Sequence, residues 1–335
     1  MKNCVLLTFF LLLVSFVTFA AKTADLVIYT YDSFAGEPAK AIIPKFEKEY
    51  NCHVKVLSYG DAGSVLGRII LEKNNPKADI FLGIDANLLP KALKEGIFQQ
   101  YKPSNIFRIK DKALIFDKTF HVIPYDYGAI ALVYNKEYLK GNPPTSFKEL
   151  LSPRWKRSLI LEDPRTSSTG SSFLVWTVAV FTEKGYLDYW KKLLPNILTI
   201  TSGWDEAFGM LSKGEAPIMV SYATDAAYSQ YYYKSNKYGV VIPSEGAYIQ
   251  MEGVGILKGA RHLTLAKRFM DFVLMDAFQK EIPLTQWMYP VTDVPLPSVY
   301  KYAPEIKKIV SVDPEEVARR LEVWIKNWAD VIASK

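Results

Sequence analysis

Histidine and cysteine are scarce in this chain, which has three histidines and two cysteines among 335 residues. The histidines, His53, His121 and His262, stand far apart and are more typical of ordinary surface or loop residues than of ligands, and neither an H-E-x-x-H nor a C-x-x-C pattern occurs. The G-x-S-x-G pattern of a nucleophilic serine and a phosphate loop ending in Gly-Lys-Ser/Thr are also missing. These absences weigh against metal chemistry, thiol chemistry and catalysis in general.

Long runs of one charge sign are lacking too. Lys and Arg number 41 against 35 Asp and Glu, and the basic residues are spread along the chain rather than grouped in blocks. We therefore expect no nucleic-acid partner. With 49% hydrophobic and 23% charged residues the chain is of ordinary globular composition, and its length predicts two domains at roughly 100–200 residues each.

The uncharged, mainly apolar run from Val5 to Phe19 is shorter than the roughly 20 residues that span a bilayer. Lys2 before it and Thr18-Phe19-Ala20 at its end are typical of a signal peptide cleaved after Ala20, with a membrane anchor as the alternative. Residues 1–20 are thus predicted to be removed, together with Cys4. We expect a soluble protein outside the cytoplasm, with no lipid anchor.

Short runs rich in Val, Ile and Tyr alternate with segments of helical period in the mature chain. Leu26–Tyr31, Val54–Tyr59 and Ala78–Ile84 are typical of strands, and Pro38–Tyr50 and Gly63–Lys73 of helices. This alternation favours a parallel sheet covered by helices on both faces.

The alternation restarts after Pro124–Gly128 and indicates a second α/β lobe. Helices are predicted from Ser171 to Phe181, over Thr264–Glu281 and from Asp313 onward. Without a flexible spacer, the chain should cross between lobes by short strands, near Tyr125–Gly128 and 244–253, as in a hinged clamp. We predict lobe one at residues 21–126 plus about 252–290, and lobe two at 127–251 plus about 291–335.

Two strand ends in the first lobe carry aromatic and acidic residues. The turn after the first strand would place Tyr31 at the cleft edge, unless Tyr31 only continues the alternation of the strand. The second strand leads through Tyr59–Ser64 into a helix, where small residues let backbone N–H groups reach an anion. Asp61 could equally be a plain helix cap.

Three strand ends in the second lobe repeat this theme. Glu162–Ser172 supplies hydroxyl and backbone donors before a helix, for a phosphate or for a helix cap. Trp204 follows a strand end and a glycine, and Ser221–Asp225 is followed by Tyr228. One such aromatic would belong to the core, but several at successive strand ends favour walls for a flat or cationic ring. The composition is typical of a site that binds without reacting.

Together these stretches resemble the thiamine-binding periplasmic proteins of bacterial ABC importers. The resemblance covers nearly all of the mature chain and is carried by Tyr29–Phe34, Ala78–Asp85, Pro124–Gly128, Glu162–Ser168, Ser202–Trp204, Ser221–Tyr222 and Gln286–Val291, with D-P-R-T-S and W-M-Y-P the most specific. It implies an α/β, two-lobed periplasmic-binding-protein fold, type II-like, with the ligand cleft between the lobes. It also implies capture of thiamine or its mono- and diphosphate, delivery to a membrane permease, and no cofactor, metal or catalytic residue.

The resemblance also implies a set of ligand contacts, motif by motif. They comprise Asp61 and Ala62 from lobe one, Ser167 and Ser168 at the hydroxyethyl or phosphate end, Trp204 against the rings, and Tyr222, Ala223, Thr224, Asp225 and Tyr228 closing the pocket. Tyr31 and Trp287 are expected as further aromatic lining.

Three positions depart from the pattern of that family. The tryptophan shortly after Y-D-S-F is absent from Ala35–Pro38, Ala62 replaces a glycine, and Asp225 replaces a small hydroxyl residue. A carboxylate at position 225 would favour a cation and repel phosphate if it points inward. We therefore expect unphosphorylated thiamine to gain relative to the diphosphate.

Two alternatives remain open at this point. The same two-lobed class also carries polyamines and ferric iron, and Tyr231 and Tyr232 imitate the paired tyrosines of an iron site. A secreted thiamine-degrading enzyme would need a cysteine nucleophile. Cys52, the one mature cysteine, stands at the start of a predicted strand, far from the loops described above. We expect a monomer.

Overall fold

The computed structural model describes residues 25–334, so the predicted signal peptide and Cys4 lie outside the described residues. Across residues 25–334, no helix has both the length and the apolar character that a bilayer crossing requires. The strands are β1 (Asp25–Thr30), β2 (His53–Ser58), β3 (Ile80–Asp85), β4 (Phe98–Gln99), β5 (Ile123–Asn135), β6 (Leu159–Glu162), β7 (Ile197–Thr201), β8 (Ile218–Tyr222), β9 (Tyr238–Val241), β10 (Tyr248–Leu257) and β11 (Tyr289–Pro290).

The α-helices mostly follow strands, as the alternating pattern predicts. They are α1 (Asp32–Ala35), α2 (Glu37–Tyr50), α3 (Ala62–Glu72), α4 (Leu89–Lys94), α5 (Ser168–Leu193), α6 (Trp204–Lys213), α7 (Asp225–Tyr233), α8 (Leu263–Val273), α9 (Asp276–Gln279), α10 (Ile282–Thr285) and α11 (Pro314–Ala333). Short 3-10 turns complete the connections.

The strands form one curled sheet in the order β2-β1-β3-β10-β5-β8-β6-β7. β1 pairs in parallel with β2 and β3, and β6 pairs in parallel with β7 and β8. Between these two parallel groups, β5 and β10 run antiparallel to each other and to their neighbours β8 and β3. The predicted parallel sheets are therefore present as two groups, joined by two long antiparallel strands.

The buried apolar side chains gather around two main centres. The first lies around β1, β3, α2, α3 and α8, and includes Phe46 and Phe269, whose ring centroids are 5.1 Å apart. The second lies around β6, β8, α5 and α11, where Trp190 and Trp328 meet edge to face at 5.8 Å. We call the elements around these two centres lobe one and lobe two.

β5 and β10 cross from one lobe to the other. Ile123 and Val254 pack in the core of lobe one, whereas Ile130 and Tyr248 pack in that of lobe two. The ladder between the two strands shifts register next to Glu252, and such a bulge bends and twists a strand locally. These two strands are thus the only hinge candidates that the described sheet offers. The exact lobe boundaries stay a prediction, which the distribution of the two cores supports.

One helix prediction needs correction, and the predicted end of another is confirmed. The segment 264–281 is not one helix, because the Gln279 side chain donates to the carbonyl oxygen of Val273 at 2.9 Å and caps the last turn of α8. The helix predicted to end at Phe181 does end there, because Thr182 has a non-helical backbone with a φ of 61°, and a second helical stretch then runs to Leu193. In α8 a side-chain contact from outside the helix, rather than the local pattern, decides where the helix ends.

Candidate functional site

A cavity lies between the lobes at the carboxyl ends of β1 and β8. Its lining includes three acidic side chains, and it contains no Lys, Arg or His among the described residues. The lining consists of Tyr31, Ser33, Asp61, Glu252, Thr285, Gln286, Trp287 and Met288 on one side, and Ser168, Thr169, Trp204, Phe208, Tyr222, Asp225 and Tyr228 on the other.

The structure brings most of the expected ligand contacts into this cavity. Those that line it are Tyr31, Asp61, Ser168, Trp204, Tyr222, Asp225, Tyr228 and Trp287. The others, Ala62, Ser167, Ala223 and Thr224, are buried beside it without lining it. The Ser167 hydroxyl, for example, accepts a hydrogen bond from the amide of Gly170 and caps α5. The roles of these residues in binding stay predictions.

The Asp61 carboxylate connects the lobes at one edge of the cavity. It accepts hydrogen bonds from the backbone amides of Ala62 at 2.6 Å and Trp204 at 3.2 Å, the first residues of α3 and α6. The hydroxyl of Ser168, the first residue of α5, lies 3.5 Å from the same carboxylate. Burial raises the pKa of Asp61, and hydrogen bonds from the Ser167 hydroxyl and from the backbone amides of Ala62, Trp204 and Ser168 oppose that rise. A helix N-terminus carries partial positive charge. The carboxylate of Asp61 therefore provides the negative charge that stabilises the N-termini of α3, α5 and α6.

Glu252 forms the acidic floor of the cavity. Its Oε2 accepts hydrogen bonds from the hydroxyls of Tyr31 at 2.6 Å and Tyr125 at 2.7 Å, and its Oε1 accepts one from Gln250 at 2.8 Å. Gln286 donates to the Tyr31 hydroxyl at 2.6 Å and so supports the same network. The sequence reasoning missed Glu252 and Gln286. A lone acid inside the otherwise uncharged strand β10 is the signal that could have indicated Glu252.

A second buried carboxyl group lies beside Glu252. Asp126 is the cross-strand partner of Glu252 and is fully buried. Burial first, and then the charge of Glu252, raise the pKa of Asp126 well above its ordinary value. Burial also raises the pKa of Glu252, but its three hydrogen-bond donors oppose this. We therefore place the proton of the pair on Asp126 and the negative charge on Glu252.

Aromatic rings form the walls of the cavity. Trp204 stacks on Phe208 with ring centroids 4.9 Å apart and donates its indole N–H to the Ser221 hydroxyl at 2.8 Å. Trp287 of lobe one meets the ring of Tyr228 of lobe two edge to face at 5.3 Å. The φ of Trp287 is 59°, a strained value for a bulky residue. Strain of this kind persists where the surroundings hold the residue in place, here at the contact between the lobes.

The two tyrosines that resemble an iron-binding pair pack against a tryptophan in the structure. Tyr231 and Tyr232 are partly exposed on α7, and both rings pack against Trp287, at 5.4 and 5.8 Å. Neither lines the cavity. Their contacts extend the aromatic wall outward to the surface.

The buried carboxyls predict an unusual pH dependence of stability. Burial raises the pKa of Asp85 to about 8 and that of Asp225 to about 7, so the folded protein holds protons that the unfolded chain releases near pH 4. The free energy of unfolding should therefore fall as pH rises from about 4 to 8, and each kcal/mol lost should lower Tm by roughly 2–4 °C. Thermal unfolding at pH 5 and pH 8 tests this, and Asp85→Asn should flatten the difference. An equal or higher Tm at pH 8 would contradict the expectation.

Comparisons with known proteins agree on one family. A family model described as bacterial extracellular solute-binding protein matches residues 75–316. A thiamine-binding periplasmic protein of Brucella melitensis is 39% identical over 334 residues, 98% of each chain. Its counterpart from Escherichia coli is 36% identical over 310 residues, 92% of this chain and 93% of the relative. A solved structure of a periplasmic thiamin binding protein has a TM-score of 0.87 at 35% identity, covering 92% of this chain and 96% of that one.

Proposed function

The chain belongs to the bacterial extracellular solute-binding proteins, among the thiamine-binding periplasmic proteins, and from this premise we propose that it captures thiamine in the periplasm and delivers it to the membrane permease of an ABC importer. The two lobes with their cleft, the helix-covered sheet and the cavity at the strand ends are what a binding protein of this kind needs. We further propose that it acts as a monomer and without catalysis.

The observation that carries the proposal is the charge of the cavity, which is lined by Asp61, Asp225 and Glu252 and by no basic side chain of the described residues. Thiamine has a thiazolium ring with a permanent positive charge, a second aromatic ring and a hydroxyethyl tail. A buried carboxylate stabilises such a cation, and each aromatic face that it contacts adds about 0.5–2 kcal/mol. The cavity therefore fits the charge and the flat shape of thiamine.

Contacts between the lobes indicate that the structure represents a closed form. The amide of Ser64 in lobe one donates to the carbonyl oxygen of Thr166 in lobe two at 3.1 Å. The Asn87 side chain, also in lobe one, donates to the Ser172 hydroxyl at 3.1 Å. In our proposal the lobes open about β5 and β10, and thiamine stabilises the closed form, whose surface the permease recognises.

Cys52 supports a binding role rather than degradation of thiamine. It is buried just before β2, at the end of the strand away from the cavity, and burial raises the pKa of its thiol. A nucleophilic cysteine needs a lowered pKa and access to substrate. Product analysis after long incubation with thiamine should show no pyrimidine fragment, and its release would contradict the binding role.

Thiamine titration of the mature protein, followed by tryptophan fluorescence and calorimetry, tests the proposal. We expect saturable one-to-one binding of thiamine and at least tenfold weaker binding in Trp204→Ala, because that ring lines the cavity. Phe107→Ala is the matched control, since this aromatic side chain is 81% exposed and lies outside the cavity.

Spermidine and ferric citrate are titrated in parallel. Saturable spermidine binding without a thiamine response would identify a polyamine carrier instead. A visible tyrosinate-to-iron absorption band with ferric citrate would support an iron carrier, the role suggested by Tyr231 and Tyr232 in the sequence. We expect no saturable binding of spermidine and no new absorption band with ferric citrate, whereas thiamine binds saturably.

A further inference from the structure

Four helices begin at the cavity, namely α3, α5, α6 and α7. Phosphate groups commonly bind at helix N-termini, where free backbone amides and the helix dipole favour negative charge. The first question for a phosphorylated ligand is therefore whether these N-termini are free. Asp61 already accepts the first backbone amides of α3 and α6 and lies 3.5 Å from the Ser168 hydroxyl of α5.

The N-terminus of the fourth helix carries its own carboxylate. Asp225 is the first residue of α7, lines the cavity and is 4% exposed. The Ser221 hydroxyl and the Tyr222 backbone amide support its charged form, against burial. Its Oδ2 has no hydrogen-bond partner within the part of the chain that the structure describes. Asp225 is thus a buried acceptor at the cavity that still lacks a donor.

A hydroxyl group and a phosphate group differ at such an acceptor. The free hydroxyl of thiamine donates a hydrogen bond, which would satisfy the Oδ2 of Asp225. A phosphate ester at neutral pH has only acceptor oxygens and negative charge, and no Lys, Arg or His among the described lining residues compensates for it. Two like charges enclosed together repel each other strongly because little water screens them.

We propose that Asp225 makes this site selective for unphosphorylated thiamine over thiamine monophosphate and diphosphate. The inference rests on the proposed function and adds the residue that sets the preference. Asp225, rather than Asp61, is assigned this role because the hydrogen bonds of Asp61 are already made within the protein. We expect the wild-type protein to bind thiamine about 30-fold more tightly than the monophosphate.

Calorimetric titrations with thiamine, its monophosphate and its diphosphate test the selectivity in the wild-type protein and in Asp225→Asn. They are made at pH 8.5, above the pKa of about 7 to which burial raises Asp225. The tyrosines around it, Tyr222, Tyr228 and Tyr238, all have pKa values raised by burial and stay neutral at this pH. In Asp225→Asn the preference for thiamine should shrink to about threefold or less.

Asp188→Asn is the matched control, because this carboxylate is exposed on α5 and outside the cavity. Asp225→Ser, which keeps a helix-start side chain, is the second variant should the amide destabilise the fold. Equal binding of all three ligands by the wild type, or an unchanged ratio in both Asp225 variants, would overturn the selectivity while leaving the proposed function intact. A wild-type protein that binds none of the three would instead overturn the proposed function.

Discussion

Gly63→Ala should weaken thiamine binding about 30-fold without lowering the unfolding temperature. Gly63 lies in the first turn of α3, and a Cβ atom there would stand 2.8 Å from the backbone carbon and oxygen of Thr166, in lobe two. Backbone atoms cannot move aside as the end of a flexible side chain can, so the added methyl group opposes closure of the lobes. Overpacking of this kind costs about 1–3 kcal/mol, and 2 kcal/mol corresponds to roughly 30-fold in Kd.

The free protein should tolerate this substitution well. Alanine is the better helix former by about 1 kcal/mol, and the contact with Thr166 exists only while the lobes are together. The unfolding temperature without ligand should therefore stay the same or rise. A variant that loses affinity through misfolding would show the opposite.

Gly67→Ala provides a matched control one turn further along the same helix. A Cβ atom at Gly67 meets nothing within 4 Å. This variant should keep the wild-type affinity and the decrease in radius of gyration that we expect on adding thiamine, measured by small-angle scattering. Gly63→Ala should lose that decrease. Wild-type affinity in Gly63→Ala would mean that the contact between α3 and Thr166 is not part of the bound form.

The fold could be predicted because the hydrophobic periods that define its strands and helices extend over short stretches of sequence. Strand and helix periods repeat along each lobe, and the carboxyl ends of parallel strands meet at one edge, so residues such as Tyr31, Trp204 and Tyr222 could be expected to lie together. The sequence does not show how β10 returns through the sheet beside β5. The position of Glu252 depends on that antiparallel return, and this is why it was missed.

Side-chain contacts that the helical and strand periods do not reveal account for the other differences. Gln279 ends α8 from outside the helix, and Trp287 reaches α7 across the cleft. Neither contact is visible in the hydrophobic period of the sequence. The resemblance to a family, in contrast, did indicate Trp287, because the W-M-Y-P motif as a whole is specific even where the reason for its tryptophan is not local.

Glu252→Gln should have the largest effect on affinity of the substitutions considered. The carboxylate of Glu252 lines the cavity, and three donors hold its oxygens in place. At an effective dielectric constant of about 20, a carboxylate roughly 6 Å from a cation stabilises it by about 2.8 kcal/mol. Removing this charge should therefore weaken thiamine binding about 100-fold. Calorimetry at pH 8 measures the change, and a loss below about fivefold would exclude Glu252 as the counter-charge.

Asp126→Asn tests whether Glu252 alone, rather than both carboxyl groups of the pair, carries the negative charge that stabilises thiamine. If Asp126 holds the proton, the amide changes little at pH 8, and thiamine affinity should stay within about threefold of the wild type. Because an amide at position 126 is as uncharged as the protonated acid, the pH dependence of binding should stay close to that of the wild type. A much larger loss of affinity at pH 8 would show that Asp126 carries part of the negative charge.

These carboxyl groups also predict that the affinity for thiamine increases with pH. The thiazolium ring of thiamine stays cationic between pH 5.5 and 8.5, so its affinity should rise as the buried carboxyls ionise, including Asp225, whose pKa burial raises to about 7. We expect the wild-type Kd to fall at least tenfold between pH 5.5 and 8.5, with a smaller fall in Glu252→Gln and a similar fall in Asp126→Asn. Constant affinity would show that the carboxyls facing thiamine are already ionised at pH 5.5, so that the cavity holds its negative charge across this range. An affinity that declines with pH would contradict the role of these carboxylates as the counter-charge.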